Sequence, residues 1–370
     1  PFVLTWEQAV CGIPGVKFMD GVPRDSSPGY PHSMRNPLGG KRKWFGSDGT
    51  PNLTTDEALG VKLLCDERIE KAKNGIRTEH LYTSIPKDER LPITKAKKGK
   101  CRNIDVPSMI YSLPFRQYFL DFIRNYYENR IYNHSAVGVN PYSDEWKRLL
   151  LHLKSISEGR NSNDADVKGF DKSIFIEIMQ KTLDLVETYY VNSTKDDRRV
   201  RKILFEEYWN GKHLIGNLVF MFYGSVPSGS PFTTVGNTIC TILLVKYCVL
   251  MILIESRELH EILYNLPKLL AIIAFGDDVA YSVHDSISHL VTPTTMEREY
   301  RKLGLEVTSA TKGEVGSFKK AEDIVFLKRE FYVVGNDVLA PLAIETIIEA
   351  PQWVWKNGRS KAQQLTTLET

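Results

Sequence analysis

A chain of 370 residues, 42% hydrophobic and 25% charged, carries enough apolar material for one large domain or two to three smaller ones. These fractions are ordinary for a soluble globular protein, and no internal repeat or low-complexity tract interrupts them. The net charge of +3 is too small to make the whole chain a polyanion binder, so any such affinity has to come from local clusters. Residues 87–102 hold seven Lys/Arg against two acids, and Lys41-Arg42-Lys43 is a second basic run.

Residues 1 to about 55 are rich in Gly, Pro and Ser and predict irregular, loop-dominated structure. Thr54-Thr55-Asp56-Glu57 predicts a capped helix to about Lys73, with Ala58, Val61, Leu64, Cys65 and Ile69 as its apolar stripe. Residues 81–107 read as strand, basic loop, strand; 112–132 as an aromatic-rich helix; and 143–153 as another helix. The Ser/Asn/Gly-rich stretch 155–164 precedes Asp166, which reads as the end of a strand. Ile174, Ile178, Leu185 and Tyr189 then recur at helical spacing across 172–190. Asp171 near that helix N-terminus has an adequate structural explanation as a cap or first-turn acid; Asp166 has none. A charged stretch, 195–202, leads to a hairpin over 213–222 turning at Gly216-Asn217. The loop 227–236 opens a long apolar helix from about Thr233. Its core, 239–254, is shorter than the roughly 20 residues that span a bilayer and predicts a buried helix. Residues 292–303 predict a helix, and 325–338 a hairpin turning at Gly335-Asn336. The five cysteines show no Cys-x-x-Cys pair and no zinc-like spacing, which predicts reduced thiols in a cytosolic compartment. A first residue of Pro marks a processed product or a fragment.

Two acidic motifs stand out: Asp166-Val167-Lys168-Gly169-Phe170-Asp171 and Phe275-Gly276-Asp277-Asp278. The second lies between apolar 270–275 and β-prone 279–283, which predicts a hairpin with carboxylates at its tip. Adjacent carboxylates repel each other unless a cation sits between them, so a metal site competes here with a solvated acidic turn.

With these in order, the chain resembles the RNA-dependent RNA polymerases of picornavirus-like viruses over about 26–330. Ser26-Ser27-Pro28-Gly29-Tyr30-Pro31 resembles motif G, and Lys87-Asp88-Glu89 through Lys95 to Arg102 resembles motif F. The two acidic motifs resemble A and C, and Ser228-Gly229-Ser230-Pro231-Phe232-Thr233 with Asn237 resembles B. Gly304-Leu305 to Lys312 is similar to motif D and Phe326-Leu327-Lys328-Arg329 to motif E. Motif wording points, within that group, toward insect iflavirus- or dicistrovirus-like members. The resemblance implies an α+β right-hand fold whose antiparallel palm sheet is backed by helices. Fingers would be 1–118 and 192–214, the palm 119–191 and 215–333, and a partial thumb 334–370. Family members carry more chain at both ends, so the sequence looks truncated.

The resemblance also implies roles. Two Mg²⁺ or Mn²⁺ ions held by Asp166 and Asp277 would stabilise the entering and leaving oxygens of nucleotidyl transfer. Asp278, next along a regular strand, would point to the other side and play a secondary part. Asp171 and Asn237, with Ser228 and Thr233, would read the ribose 2′-hydroxyl. Lys87, Glu89, Lys95 and Arg102 would serve the incoming triphosphate; Arg90-Leu91 departs from the family's Leu-Arg, which leaves Arg90 unassigned. Lys312 would be the general acid toward pyrophosphate or a plain neutralising charge. Ser27, Gly29, Tyr30, Lys41, Arg42, Lys43, Lys328 and Arg329 would face RNA. Implied partners are template and primer RNA, nucleoside triphosphates, a genome-linked protein primer and other viral replication proteins, in host cytoplasm at membrane-associated replication complexes. A reverse transcriptase and a catalytically silent RNA-binding module are the alternatives. Asp171 with Asn237 argues against the first, and the paired carboxylates argue against the second.

Overall fold

Local sequence signals set most element boundaries in the computed structural model, which describes residues 1–36, 39–89, 91, 93–256, 265–308 and 316–349. The chain runs through α1 Trp6–Cys11, α2 His32–Arg35, α3 Arg42–Phe45, α4 Asp56–Lys73, β1 Leu81–Pro86, α5 Ile93–Ala96, β2 Asn103–Val106 and α6 Met109–Glu128. Next come α7 Asp144–Lys154, β3 Ser162–Val167, α8 Ile176–Tyr189, α9 Lys195–Trp209, β4 Lys212–Ile215, β5 Leu218–Met221 and α10 Thr233–Glu255. The remainder is β6 Leu270–Phe275, β7 Asp278–Val283, α11 Pro293–Lys302, β8 Val307–Thr308, β9 Tyr332–Val334, β10 Asp337–Leu339 and α12 Ile344–Glu349. It divides into two compact units, one of Pro1–Asn133 with Gly169–Leu244, the other of His134–Lys168 with the chain from Val245 onward.

The first unit holds a four-stranded sheet in the order β2-β1-β4-β5. β1 pairs antiparallel with β2 and parallel with β4, and β4 and β5 form the hairpin turning at Gly216-Asn217. One core gathers Trp6, Trp44, Phe45, Val61, Cys65 and Leu113. A second is aromatic: Phe232 lies 5.8 to 5.9 Å, ring to ring, from Phe115, Phe119, Phe205 and Tyr208. Such offset and edge-on pairs add to what their burial alone contributes.

Residues 1–55 are loop-dominated, as expected, with short helices set among the loops: Thr5 and Gln8 form a capping box that starts α1, and α2 and α3 follow. The charged stretch 195–202 is the first half of α9, opened by a Thr194–Asp197 capping box. Its charges hid a buried stripe of Val200, Leu204, Phe205 and Tyr208, and even Arg201 is buried, donating twice to Glu187 at 2.7 Å.

The second unit is built on a wholly antiparallel sheet, β6-β7-β3-β8. Leu270, Ala271, Ile272, Ile273 and Ala274 of β6 are all buried, as are Val279, Ala280, Tyr281 and Val283 of β7. α7 packs on β6 and β7 with Trp146, Leu149, Leu150 and Leu153 buried. The stretch 325–338 holds two turns where one was expected. Phe326 and Arg329 pair across Leu327-Lys328, both left-handed, and Gly335-Asn336 joins β9 to β10. α10 is the one described helix long and apolar enough to cross a membrane. Its most apolar window is 67% buried, as a core helix requires. All five cysteines are free thiols.

Arg68 on α4 and Glu207 on α9 form a buried pair at 2.6 Å, only 4% and 3% exposed. Thr78 N–H donates to the same carboxylate at 2.7 Å, and Arg68 donates to Thr78 O at 2.9 Å. Removing the acid leaves a buried guanidinium short of its counter-charge. Glu207→Ala is therefore expected to cost about 3–5 kcal/mol, read as a fall in the urea midpoint.

Candidate active site

Register brings the carboxylates of the second unit together. β3 and β7 pair so that Asp166 stands directly opposite Asp278, and β6 and β7 pair Phe275 with Asp278, leaving Gly276-Asp277 as the turn. Directly opposed residues of an antiparallel pair project to the same face. The expectation that Asp278 points away is thereby corrected: Asp277 lies in the turn, not on a regular strand, so alternation begins only at Asp278. Burial, then the charges of Asp277 and Asp166, raise the Asp278 pKa to about 6, with exposed Lys328 opposing. Three oxygen-donor side chains gathered at one end of the sheet fit hard divalent cations. Among the described residues, no three Asp, Glu, His or Cys side chains enclose an ion unaided. Mg²⁺ commonly takes only one or two carboxylates, leaving positions for water and substrate phosphate.

The first unit carries a polar cleft of about 490 Å³, lined among others by Lys87, Arg102, Asp105, Asp171, Lys172, His213 and Ser228. Asp171 sits in a separate 3-10 turn, Phe170–Lys172, so it caps nothing: α8 starts at Ile176, with Phe175 before it. Instead Asn237 Nδ2, from buried Asn237 on α10, donates to Asp171 Oδ1 at 2.6 Å. Desolvation of the carboxylate, helped by the charge of Asp105, raises the Asp171 pKa against that bond. The other amide atom, Asn237 Oδ1, is buried with no protein partner. Thr233 turns elsewhere, its hydroxyl donating to Pro227 O at 2.6 Å. Arg102 Nε donates to Glu89 Oε2 at 2.7 Å and holds that carboxyl down to about 2. Glu89 thus grips Arg102, and Lys87 N–H closes the pair by donating to Arg102 O at 2.8 Å. Lys95 is exposed on α5. Asp105, Ser84 and His213 line the same cleft without having been singled out; one acid in a basic segment was the only hint.

Several residues expected to face RNA do not. Lys41 is 8% exposed, and its ammonium donates to Ser26 O at 3.1 Å, so it braces the loop before Ser27. Burial, with Arg116 and Arg24 nearby, lowers its pKa to about 8. Gly29 is buried at φ +71, where a Cβ would meet Pro107 O at 2.2 Å; its role is backbone approach. Arg329 is committed to Ala340 O at 2.6 Å and to the Tyr142 hydroxyl at 3.0 Å. Ser27, Lys43 and Lys328 are exposed, Tyr30 is half-buried, and Arg42 is exposed but paired with Asp25. Lys312 and Arg90 lie outside the described residues.

A hairpin that delivers acids opposite a third acid on the neighbouring strand is the arrangement of a template-directed polymerase. A family model described as viral RNA-dependent RNA polymerase matches residues 7–370. The replicase polyprotein of Acute bee paralysis virus (strain Rothamsted) is 33% identical over 362 residues, 95% of this chain and 19% of that polyprotein. The replicase polyprotein of Cricket paralysis virus is 29% identical over 366 residues, 95% of this chain and 20% of its own length. The genome polyprotein of Deformed wing virus is 25% identical over 98% of this chain. Among solved structures, a Sicinivirus 3Dpol RNA dependent RNA polymerase superposes with a TM-score of 0.75 at 20% identity, covering 97% of this chain and 70% of that one. The chain belongs to the viral RNA-dependent RNA polymerase family. Its α+β fold is that of a picornavirus-type polymerase, and it spans about a fifth of the length of the first two polyproteins.

The crowded carboxylates have a thermodynamic signature. Between the unfolded Asp value near 4 and about 6, folded Asp278 holds a proton that the unfolded chain has lost, so stability falls as pH rises through this window. Asp278→Asn removes that fall. In EDTA it is expected to stabilise the protein by about 1–2 kcal/mol above pH 7, after discount for partial exposure, and by nothing near pH 4. Urea midpoints at the two pH values check this.

Proposed function

We propose that the chain carries out template-directed RNA synthesis from ribonucleoside triphosphates, copying the genome of a positive-strand RNA virus. The observation that carries this reading is the Asp166–Asp278 register with Asp277 at the adjoining turn. Asp166, Asp277 and Asp278 are the residues that would hold two Mg²⁺ or Mn²⁺ ions. Such ions, when bound, neutralise charge on the entering and leaving oxygens of phosphoryl transfer.

The chain's own residues account for selection. Asn237 Oδ1, buried and lacking a partner, offers an acceptor to a ribose hydroxyl, beside the Asp171 carboxylate. A 2′-deoxynucleotide leaves that acceptor unpaired, which is costly in a desolvated site. Arg102 and Lys87 face the cleft as phosphate donors, with Arg102 exchanging Glu89 for the triphosphate. Ser27, Lys43 and Lys328 are exposed where backbone phosphates supply affinity without sequence choice. In this reading the palm, 119–191 and 215–333, contains the carboxylate sheet, and the fingers, 1–118 and 192–214, contain β1 and β2. Primer and template RNA and a genome-linked protein primer are its partners. It works with other viral replication proteins at membrane-associated complexes in host cytoplasm.

Primer extension on a defined RNA tests the proposal. Asp166→Ala and Asp277→Ala are each expected to lower extension at least about 10²-fold. Asn237→Ala is expected to narrow the preference for ribo- over deoxynucleotides about tenfold. Preference for deoxynucleotides by the unaltered chain would favour a reverse transcriptase. Full extension by both alanine variants would leave only an RNA-binding module.

A further inference from the structure

We infer that Asp105 is a positioning residue that fixes the Ser228–Gly229 loop at the ribose end of the nucleotide cleft. The inference rests on the cleft being the nucleotide site, and it adds a residue to which that reading gives no role.

Asp105 engages both polar groups of Ser228. Its own N–H donates to Ser228 Oγ at 3.2 Å, and Ser228 N–H donates to Asp105 Oδ2 at 3.4 Å. Ser228 Oγ in turn donates to Asn103 O at 3.0 Å, so strand β2 and the loop are stitched at adjacent points. The approach is close: a Cβ on Gly229 would lie 2.2 Å from Asp105 O, which only glycine allows.

The second carboxylate oxygen is held from behind. Ser84 Oγ donates to Asp105 Oδ1 at 2.5 Å, and His213 Nδ1 lies 3.2 Å from the same atom. Ser84 and His213 are buried at 7% and 3% exposure. His213 is wedged between Tyr82, stacked at 5.1 Å, and the edge of Phe222 at 4.8 Å. Its Nε2 is buried without a protein partner, which leaves Asp105 and Ser84 as its polar attachments. Burial opposes ionisation of Asp105, but the bonds from His213 and Ser84 prevail and keep it a carboxylate. Charged acceptors make the stronger bonds, and a side chain braced on both oxygens has little freedom.

The loop so fixed leads to the ribose pair. Val226 N–H donates to Asp171 O at 2.9 Å, and Thr233 opens α10, which carries Asn237. Loosening Ser228 should therefore weaken recognition of a 2′-hydroxyl and spare recognition of the triphosphate, which is assigned to other residues.

The test compares ATP with 2′-deoxyATP. Affinities are measured by fluorescence titration on the full chain with Mg²⁺ and a primer–template ending in a 3′-deoxynucleotide, so that no bond forms. Asp105→Asn keeps the size but replaces the charged acceptor of Ser228 N–H with a neutral amide. It is expected to reduce the ATP:2′-deoxyATP affinity ratio about tenfold, chiefly by weakening ATP. Ser84→Ala, which leaves both Ser228 bonds in place, should change the ratio less than threefold. A ratio within twofold of the unaltered chain for folded Asp105→Asn would overturn the inference. Equal weakening of both nucleotides would overturn it as well. Failure of the unaltered chain to extend a primer would instead reject the polymerase reading, a result the binding ratio does not share.

Discussion

Three carboxylates crowded at one end of an antiparallel sheet repel each other, and the rest of the second unit can be read as what keeps them there. Repulsion alone would splay the hairpin. Burial resists it: the apolar run of β6 and the apolar residues of β7 are sequestered on the sheet. Both faces of these strands are covered, and a slip of one residue would exchange the side chains packed on each. The same register places Asp166 against Asp278. Hydrophobic burial along the strands thereby fixes polar geometry at their ends, and the raised proton affinity of Asp278 is the residual strain of that arrangement.

The first unit meets the opposite demand, which in the proposed reading is to hold cations and amides ready for an anionic, hydroxylated ligand. It does so with internal stand-ins. Glu89 occupies Arg102, and Asp171 occupies one side of the Asn237 amide while leaving the other unpaired. Arg102 is then kept in place at little cost, since exchanging one oxyanion for another preserves its charge-assisted bonds. Lys41, Gly29 and Arg329 belong to the same economy in a different way. Each serves the backbone of its loop rather than the surface.

Much of this was legible in the sequence because it depends on local chemistry. Thr55 capping α4, the turns at Gly216-Asn217 and Gly335-Asn336, and the apolar runs flanking Gly276-Asp277 are short-range signals, and each element lies where those signals put it. The ordered series of motifs reached the family because its members are spread along the chain. What was not legible depended on long-range packing. Nothing near Lys41 shows that Arg24 and Arg116 will surround it, so a basic run reads as solvated surface. The amphipathic stripe of α9 was masked by flanking charges, although Thr194 and Asp197 were there to read as a cap. Asp105 was invisible for the same reason, because its partners come from β1, β4 and the Ser228 loop, far apart in the chain.

The central claim is that the acids at 166 and 277 serve one set of divalent cations. Mn²⁺ binding, followed by electron paramagnetic resonance in a complex with nucleotide and a non-extendable primer, tests it most directly. The account predicts that Asp166→Ala and Asp277→Ala each weaken Mn²⁺ binding at least tenfold, although one lies on β3 and the other in the turn between β6 and β7. Binding by either variant as tight as that of the unaltered protein would contradict it.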